Sequence, residues 1–203
     1  MAEQDATVSK DGAVAYSHYG CATGNTRDLG LHLAAADGSG PKALTPEEQV
    51  GGIGDLQPRF SPDGATVAFI RVTGDSGAEG ALFSVPTAGG DATRLMADVS
   101  YPVYPRWSPD GKTILFTANL PTGEPALWLF TVSDRSVRQL TMLHAGQYAF
   151  NGTWSPDGSQ IVYEYYETGW DHNELHVMTA DASHDAVLWV GQDATAETAD
   201  WGP

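Results

Sequence analysis

Phe60-Ser61-Pro62-Asp63-Gly64 returns as Trp107-Ser108-Pro109-Asp110-Gly111 and again as Trp154-Ser155-Pro156-Asp157-Gly158, each copy 47 residues after the one before. The residue types are those of a type I turn: Ser first, Pro second with its φ already set, and Gly fourth. Each copy therefore reverses the chain. A further step of 47 from Trp154 reaches Trp201-Gly202-Pro203. In the other direction, Val8-Ser9-Lys10-Asp11-Gly12 stands 52 residues before Phe60 and keeps Ser, Asp and Gly without the aromatic or the proline.

The residues after each turn are apolar and extended: Val67-Ala68-Phe69-Ile70, Ile114-Leu115-Phe116 and Ile161-Val162-Tyr163. Such runs read as strands buried on both faces. A third strand recurs as Leu31-His32-Leu33, Leu82-Phe83-Ser84-Val85, Leu127-Trp128-Leu129-Phe130 and Leu175-His176-Val177-Met178. A shorter fourth ends in Leu44-Thr45, Leu95-Met96, Leu140-Thr141 or Leu188-Trp189. Four strands per repeat, with a period slightly above forty, predict an all-β propeller of four-stranded antiparallel blades. The Gly-Pro turns leave no room for the paired helices of a helical solenoid.

The motif W-S-P-D-G followed by an aliphatic-aromatic strand resembles the WD40-like repeat of the TolB family of propellers, over roughly residues 8–203. Counted from the motif, the blades run about 8–59, 60–106, 107–153 and 154–200, and 199–203 open the inner strand of a fifth. The resemblance implies six blades, so the chain is expected to be part of a larger ring, or to be completed by association with a second copy. It also implies a periplasmic or extracellular protein that binds a protein or peptide, in the manner of the envelope Tol–Pal system. The opening MAEQDATVSK has no signal-peptide character, so a cytoplasmic location stays open. The alternative within the resemblance is the propeller portion of an enzyme, either a prolyl oligopeptidase-type peptidase or a polysaccharide lyase.

Composition narrows the partners. Asp and Glu outnumber Lys and Arg 26 to 10, a formal charge of −16 that repels phosphate backbones, so nucleic acid is not expected. No stretch approaches the about 20 apolar residues of a membrane helix, so membrane insertion is not expected either. Cys21 is the sole cysteine and excludes an internal disulfide.

Several motifs invite chemistry and are better explained otherwise. Gly74-Asp75-Ser76-Gly77 has the letters of a serine-protease nucleophile, but Ala78 comes after it and no His and Asp stand in the expected order. No G-x-S-x-G elbow occurs. His172 and His176 are four apart on a strand, roughly 13 Å, too far to share a zinc ion as they would on a helix. His32 occupies the same repeat position as His176, which suggests a common structural role. Asn151-Gly152-Thr153 is a sequon on an expected inner strand, where burial keeps it inert. Asp63, Asp110 and Asp157 are turn residues, not a calcium loop. No catalytic residue, cofactor or metal site is expected.

Uniform turns are scaffold, whereas variable loops on a rigid scaffold carry recognition. The end of the blades opposite the S-P-D-G turns gathers Tyr101, Tyr104, His144, Tyr148, Tyr166, Trp170, Asp171 and His172. Of these, Tyr104, Tyr148, Trp170, Asp171 and His172 are the candidate binding residues for a protein, a peptide or a carbohydrate.

Overall fold

A computed structural model describes residues 5–17, 30–45, 52–73, 79–96, 99–169, 172–191 and 201. Every repeat in it forms a meander of neighbouring strands, and no helix occurs among the described residues. The first sheet is β1 (Ala6–Val8), β2 (Val14–Ser17), β3 (Leu31–Ala34) and β4 (Lys42–Ala43). The second is β5 (Gly52–Phe60), β6 (Thr66–Thr73), β7 (Glu79–Pro86) and β8 (Thr93–Arg94), with β9 (Val99–Ser100) also paired to β7. The third is β10 (Val103–Trp107), β11 (Thr113–Asn119), β12 (Pro125–Thr131) and β13 (Val137–Gln139). The fourth is β14 (Gln147–Trp154), β15 (Gln160–Glu167), β16 (Glu174–Thr179) and β17 (Asp185–Val190). These are the expected blades. The strand ending in the motif's aromatic opens the same sheet that the turn continues, since Phe60 pairs with Val67 and Trp154 with Ile161. Boundaries counted from the motif therefore cut each hairpin at its first strand.

The turn chemistry is as the sequence predicts. The N–H of Gly64, Gly111 and Gly158 donates to the carbonyl of Ser61, Ser108 and Ser155 at 2.8, 2.9 and 2.9 Å. These glycines have φ of +75°, +70° and +72°, the left-handed region where a Cβ is disfavoured. Each serine hydroxyl donates to its Asp carboxylate at 2.6–2.7 Å and accepts the N–H of Thr66, Thr113 or Gln160. The degenerate first copy still turns, with Gly12 N–H on the Ser9 carbonyl and Ala13 N–H on the Ser9 hydroxyl, both at 2.9 Å.

Behind the turns, Val67, Ala68, Phe69, Ile114, Leu115 and Ile161 have no solvent exposure, so the second strands are buried on both faces. One cross-strand pair recurs in all four blades: Tyr16 with His32, Phe69 with Phe83, Phe116 with Trp128, and Tyr163 with His176. The Leu-Thr ends of the fourth strands close the sheet. Leu44 and Leu140 N–H donate to the Leu31 and Leu127 carbonyls, and the Thr45 and Thr141 hydroxyls accept the N–H of the same two residues.

The chain divides into two compact units, Met1–Pro105 and Arg106–Pro203. The first has a core of Ala15, Leu31, Leu44, Val67, Phe69 and Val85 between its two sheets. In the second, Leu115, Leu127, Leu129 and Leu140 of the third sheet pack on Ala149, Ile161, Tyr163 and Met178 of the fourth. Gly152 lies at that junction, where a Cβ would stand 2.9 Å from Leu115 Cδ2.

Candidate functional site

The inner strands carry a feature the motif does not announce. Gln57, Tyr104 and Asn151, again 47 apart, have φ of 53°, 56° and 55°. Such a conformation is strained for a residue with a Cβ. Ladder register shifts between Leu56 and Arg59 and between Phe150 and Thr153, so Gln57 and Asn151 stand at bulges. Hydrogen bonds hold them: Tyr104 N–H donates to Gln57 Oε1, and Asn151 N–H donates to Thr117 Oγ1 at 3.2 Å. Asn151 is 7% exposed and its amide donates to Glu164 Oε1 at 2.8 Å, a bond that engages the sequon nitrogen.

Tyr104 and Tyr148, expected on connections, lie instead in β10 and β14, because the inner ladders extend several residues upstream of the motif. Tyr148 packs against Tyr166 at 5.6 Å between ring centroids, and its hydroxyl accepts a bond from Thr168 Oγ1 at 3.2 Å. Around it the loop end of the second unit is tied down. Thr168 N–H donates to the Gly146 carbonyl at 2.7 Å, His144 N–H to Gln147 Oε1 at 2.9 Å, and Gly146 N–H to Glu124 Oε1 at 3.3 Å. Tyr101 is 54% exposed. Trp170 and Asp171 fall outside the described residues, as do Cys21 and residues 74–77. Of the described candidates in the second unit, Tyr148 and His172 have different partners.

His172 joins a different group. Its Nε2 lies 3.8 Å from Glu174 Oε1, while His176 Nε2 lies 2.9 Å from Glu174 Oε2. Residues two apart share a strand face, so both imidazoles reach the carboxylate between them. On its other side His176 Nδ1 stands 3.3 Å from Asp185 Oδ1, and Asp185 Oδ2 accepts a 2.6 Å bond from the Tyr163 hydroxyl. Burial opposes charge on His176, but its bonds to Asp185 and Glu174 outweigh burial and raise its pKa. An imidazolium satisfies both acids as donor. Burial pushes the Tyr163 hydroxyl far above the usual phenol range, reinforced by Asp185. Asp185 is raised by burial but held below the ordinary carboxylate value by His176 and Tyr163.

This cluster borders a cavity of about 340 Å³ that Tyr165, Gln147, Met142 and Leu143 also line. Sequence reading finds His176 but not its partners, since Glu174 and Asp185 belong to no motif. A larger cavity, about 690 Å³, opens beside the S-P-D-G turns of the third and fourth blades, bordered by Lys112, Arg138, Trp154, Asp157 and Asp181. Its turn carboxylates are engaged locally: the Ser155 hydroxyl and Ser159 N–H hold Asp157 at a pKa of about 2, and Thr179 and Ser183 do the same for Asp181.

The architecture has relatives among solved structures. TolB from Acinetobacter baumannii superposes with a TM-score of 0.69 at 20% identity, over 91% of this chain and 42% of that one. The oligogalacturonate lyase of Vibrio parahaemolyticus gives 0.71 at 16% identity, over 94% and 53%. A puromycin-hydrolyzing peptidase of Mycobacterium tuberculosis gives 0.67 at 18% identity, over 93% and 30%. The chain spans less than two thirds of each, and at these identities the likeness is one of fold. No curated protein matches the sequence. A family model does, the TolB β-propeller domain, over residues 48–203, which leaves out only the degenerate first blade. With four meander sheets, the repeated turn and that match over most of its length, the chain belongs to the TolB β-propeller domain family.

Proposed function

We propose that the chain is a non-enzymatic platform that binds a protein or peptide through the loop end of its blades, with Tyr104, Tyr148, Trp170, Asp171 and His172 among the contacting residues. The observation that carries this reading is the difference between the two ends. At the turn end each Asp and Ser of the motif is occupied by its own turn. At the loop end of the second unit, backbone and side-chain bonds tie down the segments that carry the Tyr148–Tyr166 pair, and recognition gains from such preorganisation. A periplasmic location goes with this reading. The experiment is capture from an envelope extract, comparing the parent with a chain in which Tyr104, Tyr148, Trp170 and His172 are replaced by Ala, both matched for melting temperature. The parent should retain proteins that the variant loses. An unchanged set removes the loop end from consideration.

A second reading, the propeller portion of a peptidase or polysaccharide lyase, draws on one observation, the titratable Tyr163–His176–Asp185 group at a cavity. Cleavage of peptide or oligogalacturonate by the parent, abolished by His176→Gln, would replace the platform with this reading.

A further inference from the structure

The aromatic cross-strand pair recurs in every blade, but its surroundings do not. Two residues before His176 stands Glu174, where the other blades have Gly30, Ala81 and Ala126. Two residues before its partner on the fourth strand stands Asp185, where the others have Pro41, Ala92 and Val137. The first blade makes the same Tyr–His pair, Tyr16 with His32 at 5.7 Å, with neither acid. Folding a blade therefore requires the ring pair and not the carboxylates. The acids are an addition confined to the one blade whose pair borders the 340 Å³ cavity.

The walls of that cavity sort by chemistry. Met142, Leu143 and Met178 form an apolar side, and Met142 is 80% exposed at its mouth. The Tyr165 and His176 rings, 4.6 Å apart, form an aromatic side. Asp185, its side chain 47% exposed, accepts from Tyr163, His176 and the Ala186 N–H, which leaves one of its roughly four acceptor positions for a ligand. Around His176 the charged and titratable groups are Glu174, Asp185, Tyr163 and Tyr165, with His172 on the far oxygen of Glu174; the facing segment of the third blade, Leu140–Leu143, brings none. His172 reaches only Glu174, so Asp185 at the cavity is balanced by His176 alone and keeps that side negative when the His176 ring is neutral. An aromatic wall beside a carboxylate favours a cation, and the −16 charge of the chain concentrates cations near it.

We propose that this cavity binds an organic ammonium group carried on an aliphatic stem, the chemistry shared by a lysine side chain and a free diamine. The ammonium sits against Asp185 and the Tyr165 ring, and the stem lies along Met142, Leu143 and Met178. Because the ligand and the imidazolium compete for the same carboxylates, binding tightens as His176 loses its proton. This site does not depend on the loop-end reading: variants at Tyr104 and Tyr148 leave it intact, and its loss leaves loop-end capture intact.

The test is calorimetric titration of the 203-residue chain with N-acetyl-lysine methylamide, its norleucine counterpart and 1,5-diaminopentane, at pH 5.5 and 8.5. The lysine amide or the diamine should bind saturably and the norleucine amide should not. Affinity should rise between the two pH values, and Asp185→Asn should weaken binding at least about tenfold. Tighter binding of the amide assigns the ligand to a protein segment, and tighter binding of the diamine assigns it to free amines. Equal binding of norleucine, affinity that falls with pH, an unaffected Asp185→Asn chain, or no binding of either amine overturns the proposal. The norleucine and pH comparisons use the parent alone, so they decide the matter even if the variant fails to fold.

Discussion

Asp55 shows how much a single side chain can hold. It has no exposure, and Arg71 Nε and Nη2 donate to its two oxygens at 2.7 and 2.8 Å. The guanidinium is also 4.6 Å from the centre of the Phe83 ring, so hydrogen bonding and cation–π contact fix one geometry. Removing one member of such a pair strands a buried charge, whereas removing both leaves an apolar site. Asp55→Ala should therefore cost about 3–5 kcal/mol in urea unfolding, and adding Arg71→Met should recover most of it. A single-variant loss below about 1 kcal/mol would mean that Arg71, whose side chain is 20% exposed, escapes to solvent. The motif tryptophans Trp107 and Trp154 are both only partly buried. The Trp154 indole N–H donates to the Arg106 carbonyl at 3.3 Å, and Trp201 repeats the bond to the Thr153 carbonyl at 3.3 Å. Partial burial trims the usual large aromatic loss, so Trp154→Ala should cost about 2–3 kcal/mol by the same measurement.

Elements explain why the fold is legible in the sequence and the site is not. A turn motif repeated at one spacing fixes where chains reverse, and the apolar runs after it fix which strands are central, so blade count and strand order come from local chemistry. Burial of Phe69, Phe116 and Tyr163 bears this out. The left-handed conformations of Gln57 and Tyr104 are not legible, because neither residue type favours that region as Asn151 does. Tyr104 and Tyr148 leave the loops where spacing puts them because β10 and β14 begin several residues upstream of the motif. The Glu174–His176–Asp185 group is hidden for another reason: Asp185 reaches His176 through ladder register between β16 and β17, a long-range property interrupted by a bulge after Leu175. Gly152 reads in the sequence only as the middle letter of an inert sequon, yet it is where β14 meets the third blade. Gly152→Ala keeps the sequon letters and places a Cβ 2.9 Å from Leu115 and 3.2 Å from Leu127. Overpacking there should lower stability by about 1–3 kcal/mol in denaturant unfolding, and an unchanged midpoint would show that the two sheets can separate freely.

For the whole molecule the acid excess has a structural use. Asp37, Asp63, Asp110, Asp134, Asp157 and Asp181 each accept hydrogen bonds from a Ser or Thr hydroxyl or a backbone N–H within their own turn, and each has its pKa lowered by those bonds. A depressed carboxylate stabilises the fold above its unfolded pKa, near 3.8, and that contribution is lost as pH falls through the folded value, about 2 for Asp157 and Asp181. His176 works in the opposite sense. Its folded pKa is raised above 6.5, so its contribution is complete below 6.5 and disappears as pH rises through the folded value. Deprotonation also removes a positive charge from a chain whose formal charge is −16 with its histidines neutral, which increases self-repulsion in the compact state. The melting temperature of the chain, followed by circular dichroism from pH 2 to 9, should therefore pass through a broad maximum between about pH 4 and 6.5. It should fall steeply on the acid side, where six turns lose their acceptors together, and shallowly on the alkaline side. His176→Gln should flatten the alkaline limb and leave the acid limb in place, because the turn aspartates do not touch the imidazole. An alkaline limb that survives in His176→Gln and disappears on adding 0.5 M salt would assign it to self-repulsion alone, since screening at about a 4–5 Å Debye length removes repulsion between separated surface charges but not a bonded ion pair.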